Sequence, residues 1–594
     1  MAKARTPKAP KPPKAPKPPK AVSEGPEAVT VEYDLFALPT AFHKAGLAGL
    51  VLLIRSLEGS EGRGVLKEGE AKYEMTATTL SVTFTEPLVQ KLFDDVYDAR
   101  VVEVFSKTKW QGTDPKREDS VEETVNGKQV KTKRFVYDQV QPCGAFFDTA
   151  FDGDKEVWRK LWRDVLWNIA RGRPLTRIPF NERAEGKSCG EGATAWEALL
   201  KVHKARGRSE FYTTELSSAL FPGAQAVNAE GVPFDGRAEE TLLLHFWPLV
   251  CPLFVPNMVE ADGSSDFVGY TIAVPEVADL IEFVRLYPLY LDHVTKNTKV
   301  RGYRPAAAVV DLAAEGGLAV LDRMAELTTQ KVEGQQLTYS VSAVEYLHLV
   351  KIGNNVKSLA AGRVSPNPDL LRSYHSLVCP KQGVDPVFRN PLFRRGLLFA
   401  LLNTEAEWFH PFTTVFQSFD VKKVLVRPPR RPATEEDEPQ GLPQFAADAA
   451  TQFRHLSRQH AATLERMRSM PDAPTPPTPL PVIVNRVVRN YVLARTQEKS
   501  GVRLEAFENE AEQIDWNKVP AEFNEAKNKL ALGLMLEFRS RKEQAFAEHF
   551  AATFFSVTQR LSEPDRLRLA EALTTTEQRD DLKTLTLLSL SANS

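Results

Sequence analysis

Cysteine is scarce in this chain of 594 residues: Cys143, Cys189, Cys251 and Cys379 are the only four, and no two form a C-x-x-C pair. That spacing argues against a zinc ribbon and a disulfide-built scaffold and fits a reducing cytoplasm. Long apolar runs are missing too. No stretch reaches 18 apolar residues, so no transmembrane helix and no membrane partner are expected, and the first 20 residues lack the apolar segment of a secretion signal. Neither sign of charge is in excess: 76 Lys and Arg face 77 Asp and Glu, a formal net charge of −1. Contact with nucleic acid must then come from local basic patches. Catalytic motifs are also absent. No H-E-x-x-H, G-x-S-x-G, G-x-G-x-x-G or His-Asp dipeptide occurs. Gly186-Lys187-Ser188 ends like a phosphate-binding loop, but Asn181 stands where its first glycine belongs. His455 and His460 have no acid placed beside them for a metal. The expectation is a protein that is not an enzyme and takes no metal or other cofactor.

What is present suffices for three or four domains. The expected fold class is α+β multidomain, with mixed α/β N-terminal and central domains followed by a C-terminal all-α bundle. Residues 1–27 read as a disordered tail whose repeated Lys and Pro have nothing to bury. Residues 28–185 read as an α/β domain: a strand at Val29–Leu35, a helix over 40–56, a strand over Lys72–Phe84 and a helix over Glu86–Asp98. A hairpin over 106–142 turns at Asn126-Gly127 and carries Lys107, Lys109, Lys116, Arg117, Lys128, Lys131, Lys133 and Arg134, a basic arm or a solvated ribbon. In the central domain (186–426), the apolar run at 240–255 is broken by Pro248 and Pro252 and reads as a bent strand. Pro275 reads as opening a helix. Residues 306–327 read as helical around Gly316-Gly317, and 336–364 as strands. A Pro-rich linker is expected at 427–443. In the bundle (444–594), helices are expected at 445–470, 482–497, 517–560 and 563–590, the last capped by Ser562.

The stretch from Pro39 to Arg55 is the most unusual. Thr40 suits an N-cap, and Ala45–Ile54 reads as a buried helix. Gly46 and Gly49 sit inside it although alanine would stabilise an isolated helix by about 1 kcal/mol at each. Small residues there permit close approach by another backbone. His43 and Lys44 lie in the first turn, where the helix dipole disfavours cations, a placement suited to an anion or to a solvated lysine. A second cluster follows an apolar stripe (Trp158, Leu161, Trp162, Val165, Leu166, Ile169): Arg159, Lys160, Arg163, Arg171, Arg173 and Arg177 create a local field suited to phosphates. A third group, Lys351, Asn354, Asn355, Lys357 and Arg363, surrounds a Gly-Asn-Asn turn able to bond phosphates or base edges, or simply to cap a loop.

The segment LPTAFHKAGLAGLVLLI after the strand VTVEYDLFA, together with LWRDVLWNIARGRPLTRIPF and FVGYTIAVPEVADLIEFV, resembles the large subunit of type I CRISPR effector (Cascade) complexes. Within that family it is similar to the variety described from myxobacteria and cyanobacteria, which includes a fruiting-body developmental protein. The resemblance implies a non-catalytic subunit at the foot of the complex. Its partners would be guide RNA, target DNA, the backbone and handle-binding subunits of Cascade, and a helicase-nuclease that it recruits. It would read the short motif beside the target and help open the duplex, while base pairing reads sequence. The bundle would resemble the small subunit. His43, Lys44, Gly46 and the Arg163–Arg177 cluster are the positions that match. A developmental or sporulation regulator derived from the same family is the alternative.

Overall fold

The structure is a computed structural model that describes residues 27–58, 65–67, 69–110, 112–125, 128–151, 153–169, 177–205, 212–213, 235–329, 340–353, 355–403, 406–426, 444–468, 476–508, 514–516 and 518–594. The expected linker at 427–443 and most of the expected tail lie outside these residues. Two small antiparallel sheets come first. Strand β1 (Ala28–Asp34) buries Val29, Val31 and Tyr33 on one side and is followed by helix α1 (Ala41–Glu58). The single strand expected over 72–84 is a hairpin of β2 (Lys72–Met75) and β3 (Thr79–Thr85), because the Thr76 hydroxyl accepts from the Thr79 amide at 2.9 Å and closes a turn. The sheet order is β1-β3-β2. Helix α2 (Glu86–Val96) starts at Thr85, whose hydroxyl accepts from the Leu88 amide.

Strands β4 (Ala99–Ser106), β5 (Arg117–Val125) and β6 (Lys128–Pro142) form the second sheet, in order β4-β6-β5. Val125 and Lys128 pair across Asn126-Gly127, a dipeptide outside the described residues. The arm is not the basic surface its lysines suggest. Antiparallel register sets Lys131 beside Glu122 and Lys133 beside Glu118, both at 3.7 Å, and Arg117 bonds Glu103 at 2.8 Å. Cross-strand pairing thus cancels charge that a linear reading counts on one side only.

Helices α3 (Ala145–Phe151), α4 (Glu156–Asn168), α5 (Ile178–Ala184) and α6 (Gly190–Ala205) follow, then the short pair β7 (Tyr212–Thr213) and β8 (Asp235–Gly236) and helix α7 (Ala238–Leu243). The run at 240–255 is therefore not one bent strand. It is α7, a 3-10 turn at Trp247–Leu249 and only then β9 (Leu253–Val259), since Pro248 fits the first turn of a helix, where no amide donor is needed. After β10 (Ser265–Phe267), Pro275 lies within β11 (Tyr270–Val277). Helix α8 (Leu280–Thr295) begins instead where the Asp279 carboxylate accepts from the Glu282 amide at 2.9 Å.

A finger of β12 (Val300–Arg301) and β13 (Arg304–Pro305) leads to β14 (Val309–Val310) and α9 (Glu315–Thr329), so Gly316-Gly317 opens this helix and does not break it. Strands β15 (Val341–Ile352) and β16 (Asn355–Val364) complete the central sheet β10-β9-β11-β15-β16, with β14 parallel to β9. Helix α9 packs on this sheet; α10 (Pro368–Val378) packs on α9, α11 (Pro391–Leu402) reaches β9, and α12 (Phe412–Ser418) follows.

The C-terminal region is helical: α13 (Phe445–Arg468), α14 (Leu480–Ser500), α15 (Ala521–Ser540), α16 (Glu543–Thr558), α17 (Glu563–Thr574) and α18 (Thr576–Ala592). Both long helices expected here are split, at Arg541-Lys542 and at Thr575. Ser562 caps α17 as expected, accepting from the Asp565 amide. No disulfide joins the cysteines. The fold is mixed α/β with a helical C-terminal region; one hydrophobic core extends from Val29 to Leu590, and a smaller one gathers Leu504, Val519 and Phe523.

Helix α1 is the hub of that core. It is buried on nearly every side and packs against β11 and the Trp247 turn. A Cβ on Gly46 would lie 2.1 Å from the carbonyl oxygen of Leu243, and one on Gly49 2.3 Å from that of Phe246. The glycines three residues apart thus let two backbones touch, as their placement in a helix suggested. Phe42 meets Trp247 edge-on at 5.1 Å beside this contact.

Candidate nucleic-acid interface

The first expected pair, His43 and Lys44, faces inward. His43 is buried, and burial pushes its imidazole down to about 4, so it is neutral near pH 7; its Nδ1 lies 2.8 Å from the Thr40 hydroxyl. Lys44 does find an anion at the start of α1, but an internal one: its Nζ lies 2.9 Å from Oε1 of Glu276 on β11. Arg363 of β16 holds the other oxygen of the same carboxylate at 2.7 Å. Burial works to raise the Glu276 carboxyl, and the bonds from Lys44 and Arg363 outweigh it and hold the group below its ordinary value. Two candidates far apart in sequence therefore meet on one carboxylate that clamps α1 to the central sheet.

The arginines of α4 are also partly structural. Arg159 is 1% exposed, bonding Asp148 at 2.8 Å and the Phe151 carbonyl at 3.2 Å. Arg163 is buried against Gln139 and Asp164. Both lie on the tryptophan side of the helix, and burial removes them from the surface field expected of them. Arg171, Arg173 and Asn354 fall outside the described residues. Arg177 is exposed just before α5, with φ 67°.

What remains converges on the other face of α4. Lys160, Asp164 and Asn168 are four residues apart and so form one ridge along the helix. At one end the finger docks. Arg304 bonds Asp164 at 3.0 Å and the Tyr270 hydroxyl at 2.7 Å, and its guanidinium lies 4.6 Å from the centre of the Tyr303 ring. Lys160 approaches the same ring at 5.9 Å. The finger turns through Gly302, at φ 62°, and Tyr303, leaving Tyr303 55% exposed next to exposed Arg301. At the other end of the ridge the β15–β16 tip docks: Lys351 bonds the Asn168 side chain at 3.4 Å. Lys351 pairs with Val356 in the β15–β16 ribbon, so exposed Asn355 and Lys357, on either side of Val356, point to the opposite face from Lys351.

Three stretches far apart in the chain, α4, the finger and Lys351 of the tip, thus supply cations, the Asn168 amide and a propped aromatic ring to one surface. Such a set bonds phosphates through the cations and offers the ring to an unstacked base. The tip was anticipated; the finger was not. Its signal is in the segment Lys296-Asn297-Thr298-Lys299-Val300-Arg301-Gly302-Tyr303-Arg304, four cations around a Gly-Tyr turn. Among the described residues no group of three or more His, Cys, Asp or Glu is placed to hold a metal, and no helix is long and apolar enough to cross a membrane.

Comparison with known proteins gives two matches. The family model for the Type I-B CRISPR Cas8b N-terminal domain matches residues 72–334, and that for the Type I-B CRISPR Cas8b C-terminal domain matches residues 341–593. Neither description names the myxobacterial and cyanobacterial variety that the sequence patches resemble. No curated protein matches the chain.

Proposed function

We propose that this chain, which belongs to the Type I-B CRISPR Cas8b family and is thereby a large subunit of a type I-B Cascade, holds nucleic acid on the α4 ridge. The observation that carries this reading is the convergence there of the finger (Arg301, Tyr303, Arg304), Lys160, and Lys351 of the tip. In this reading the cations grip the phosphates of guide RNA and of target DNA beside the recognition motif. Tyr303, held in place by Arg304 from β13, offers a face to a base that leaves the duplex. Arg171, Arg173 and Arg177 are candidates from the sequence for a further contact with phosphates. The chain performs no covalent step: sequence is read by base pairing, and the subunit supplies position and charge. Recruitment of the helicase-nuclease completes the role and follows from the resemblance alone.

The test is charge reversal on the ridge. Replacing Lys160, Arg301 and Lys351 by glutamate together is expected to weaken binding to a short duplex and to RNA on the order of 100-fold at low salt. The dependence of log affinity on log salt should become shallower by about 2 to 3 units, roughly 0.9 for each phosphate no longer gripped. Reversing Lys131 and Lys133, whose charges are matched across the β5–β6 ribbon, should change neither quantity. Fluorescence anisotropy over a salt series measures both, and equal affinities and slopes for the ridge variant and the parent would discard the assignment.

A further inference from the structure

A second site of a different build lies in the helical region. A cleft of about 390 Å³ opens between α13, α14, α15 and the end of α18. Its floor is apolar, with Phe453 and Val519 buried and Leu493 beside them. Trp516 lines it and is 39% exposed, with the Lys527 ammonium 5.3 Å from the centre of its ring. Asn485 and Asn524 bring amides, each both donor and acceptor, and Arg454 and Arg489 bring guanidinium groups. Among the described residues Glu525 is the one acidic side chain lining the cleft, against Arg454, Arg489 and Lys527.

We infer that this cleft takes one unstacked nucleobase of a single-stranded nucleic acid, with the neighbouring phosphates on its arginines. The volume lies at the lower end of small-ligand pockets and suits one nucleotide rather than a helix or a duplex. An exposed indole stacks on any base, and stacking is tolerant of sequence because every base has a π-face. The asparagine amides meet the hydrogen-bonding edge of such a base whatever its pattern of donors and acceptors, so the site holds a strand without choosing a sequence. Lys527, already over the ring, is placed to meet the phosphate of the stacked nucleotide. The surplus of positive charge favours a strand over an uncharged ligand. This site goes beyond the α4 ridge and shares no residue with it.

The experiment uses the full chain and a 12-nucleotide single-stranded DNA, the same strand made abasic, and a free mononucleotide, with affinity read by anisotropy or competition. Trp516→Ala should weaken binding of the intact strand about 10-fold, while Trp516→Phe, which keeps a stacking face, should lose little. Arg489→Glu should weaken it as well and make the salt slope shallower by about 1. The abasic strand should bind the parent and Trp516→Ala equally, because the group that stacks is gone from the ligand. Unchanged affinity of Trp516→Ala for the intact strand would overturn the inference, and so would equal affinity of the parent for intact and abasic strands. Tight binding of the mononucleotide alone would overturn the strand and leave a small-molecule site. A melting curve matching the parent shows that the variants fold. Introducing Trp516→Ala into the ridge variant that carries the three glutamates should have the same 10-fold effect as in the parent, so failure of either site is read separately from the other.

Discussion

Gly46→Ala is expected to destabilise the chain by about 3 to 5 kcal/mol, at the upper end of overpacking effects. Alanine normally favours a helix over glycine by about 1 kcal/mol, so propensity alone predicts the opposite sign. The geometry decides. The new methyl would sit 2.1 Å from the Leu243 carbonyl oxygen, a backbone atom that cannot rotate away. Helix α1 has no free side to retreat into, since Leu47, Ala48, Leu50, Val51, Leu53 and Ile54 are all fully buried. Gly49→Ala should behave alike, against Phe246. Gly533 in α15 is the control: a methyl added there would meet nothing within 4 Å, so Gly533→Ala should be neutral or stabilising by up to about 1 kcal/mol. Urea unfolding followed by tryptophan fluorescence measures all three. A Gly46→Ala protein as stable as Gly533→Ala would remove the case for a backbone contact.

The second large effect is expected at Arg394. This residue of α11 reaches into the central region and bonds Asp311 at 2.6 Å and Glu315 at 3.3 Å; both carboxylates are buried, at 6% and 4% exposure. Glu315 also accepts from the Asp311 amide at 2.6 Å. Burial raises both carboxyls, that of Glu315 to about 7, and the Arg394 charge opposes the rise. An acid whose folded-state value is raised binds more protons folded than unfolded, so this cluster's contribution to stability declines as pH climbs from about 4.5 through 7. Arg394→Met removes the counter-charge. It should cost about 3 to 5 kcal/mol at pH 8, where two buried carboxylates are left uncompensated, and clearly less at pH 5, where they can take up protons. Adding Glu315→Gln to Arg394→Met should restore part of the loss at pH 8 and flatten the pH dependence. A loss that is the same at pH 5 and pH 8 would show that Arg394 acts through packing alone.

Much of the architecture was legible because it depends on local chemistry. Alternation in Val29–Tyr33, the stripe from Trp158 to Ile169 and the cap at Ser562 each follow from spacing within one element. Even the close approach at Gly46 and Gly49 could be expected, since glycine in a buried helix needs a reason. The partner could not, because Pro248 reads equally as a strand bend or as the first turn of a helix. The same limit applied to the charges. Arg159 and Arg163 looked like surface cations until Asp148 and Gln139, set by a different turn of chain, took them inside. Lys131 and Lys133 looked like a basic arm until antiparallel register brought Glu122 opposite the first and Glu118 diagonal to the second. Charge counted along a sequence is not charge presented on a surface: Lys160, Arg177, Lys351 and Lys357 kept their exposure, and Lys160 gained the finger as an unforeseen neighbour.

The meeting of α1 with the Leu243 carbonyl also sets an order of events during synthesis. Helix α1 leaves the ribosome well before the turn that covers its glycine face. With about 190 residues between them and synthesis at about 5 to 20 residues per second, its apolar surface waits roughly 10 to 40 s for that cover. Throughout that interval the face of α1 that carries Gly46 and Gly49 lacks its permanent partner, while α2 and α3, made earlier, pack on other parts of the helix. The N-terminal part of this protein therefore completes its core only together with the central part, and a chain halted before residue 243 leaves that glycine face uncovered.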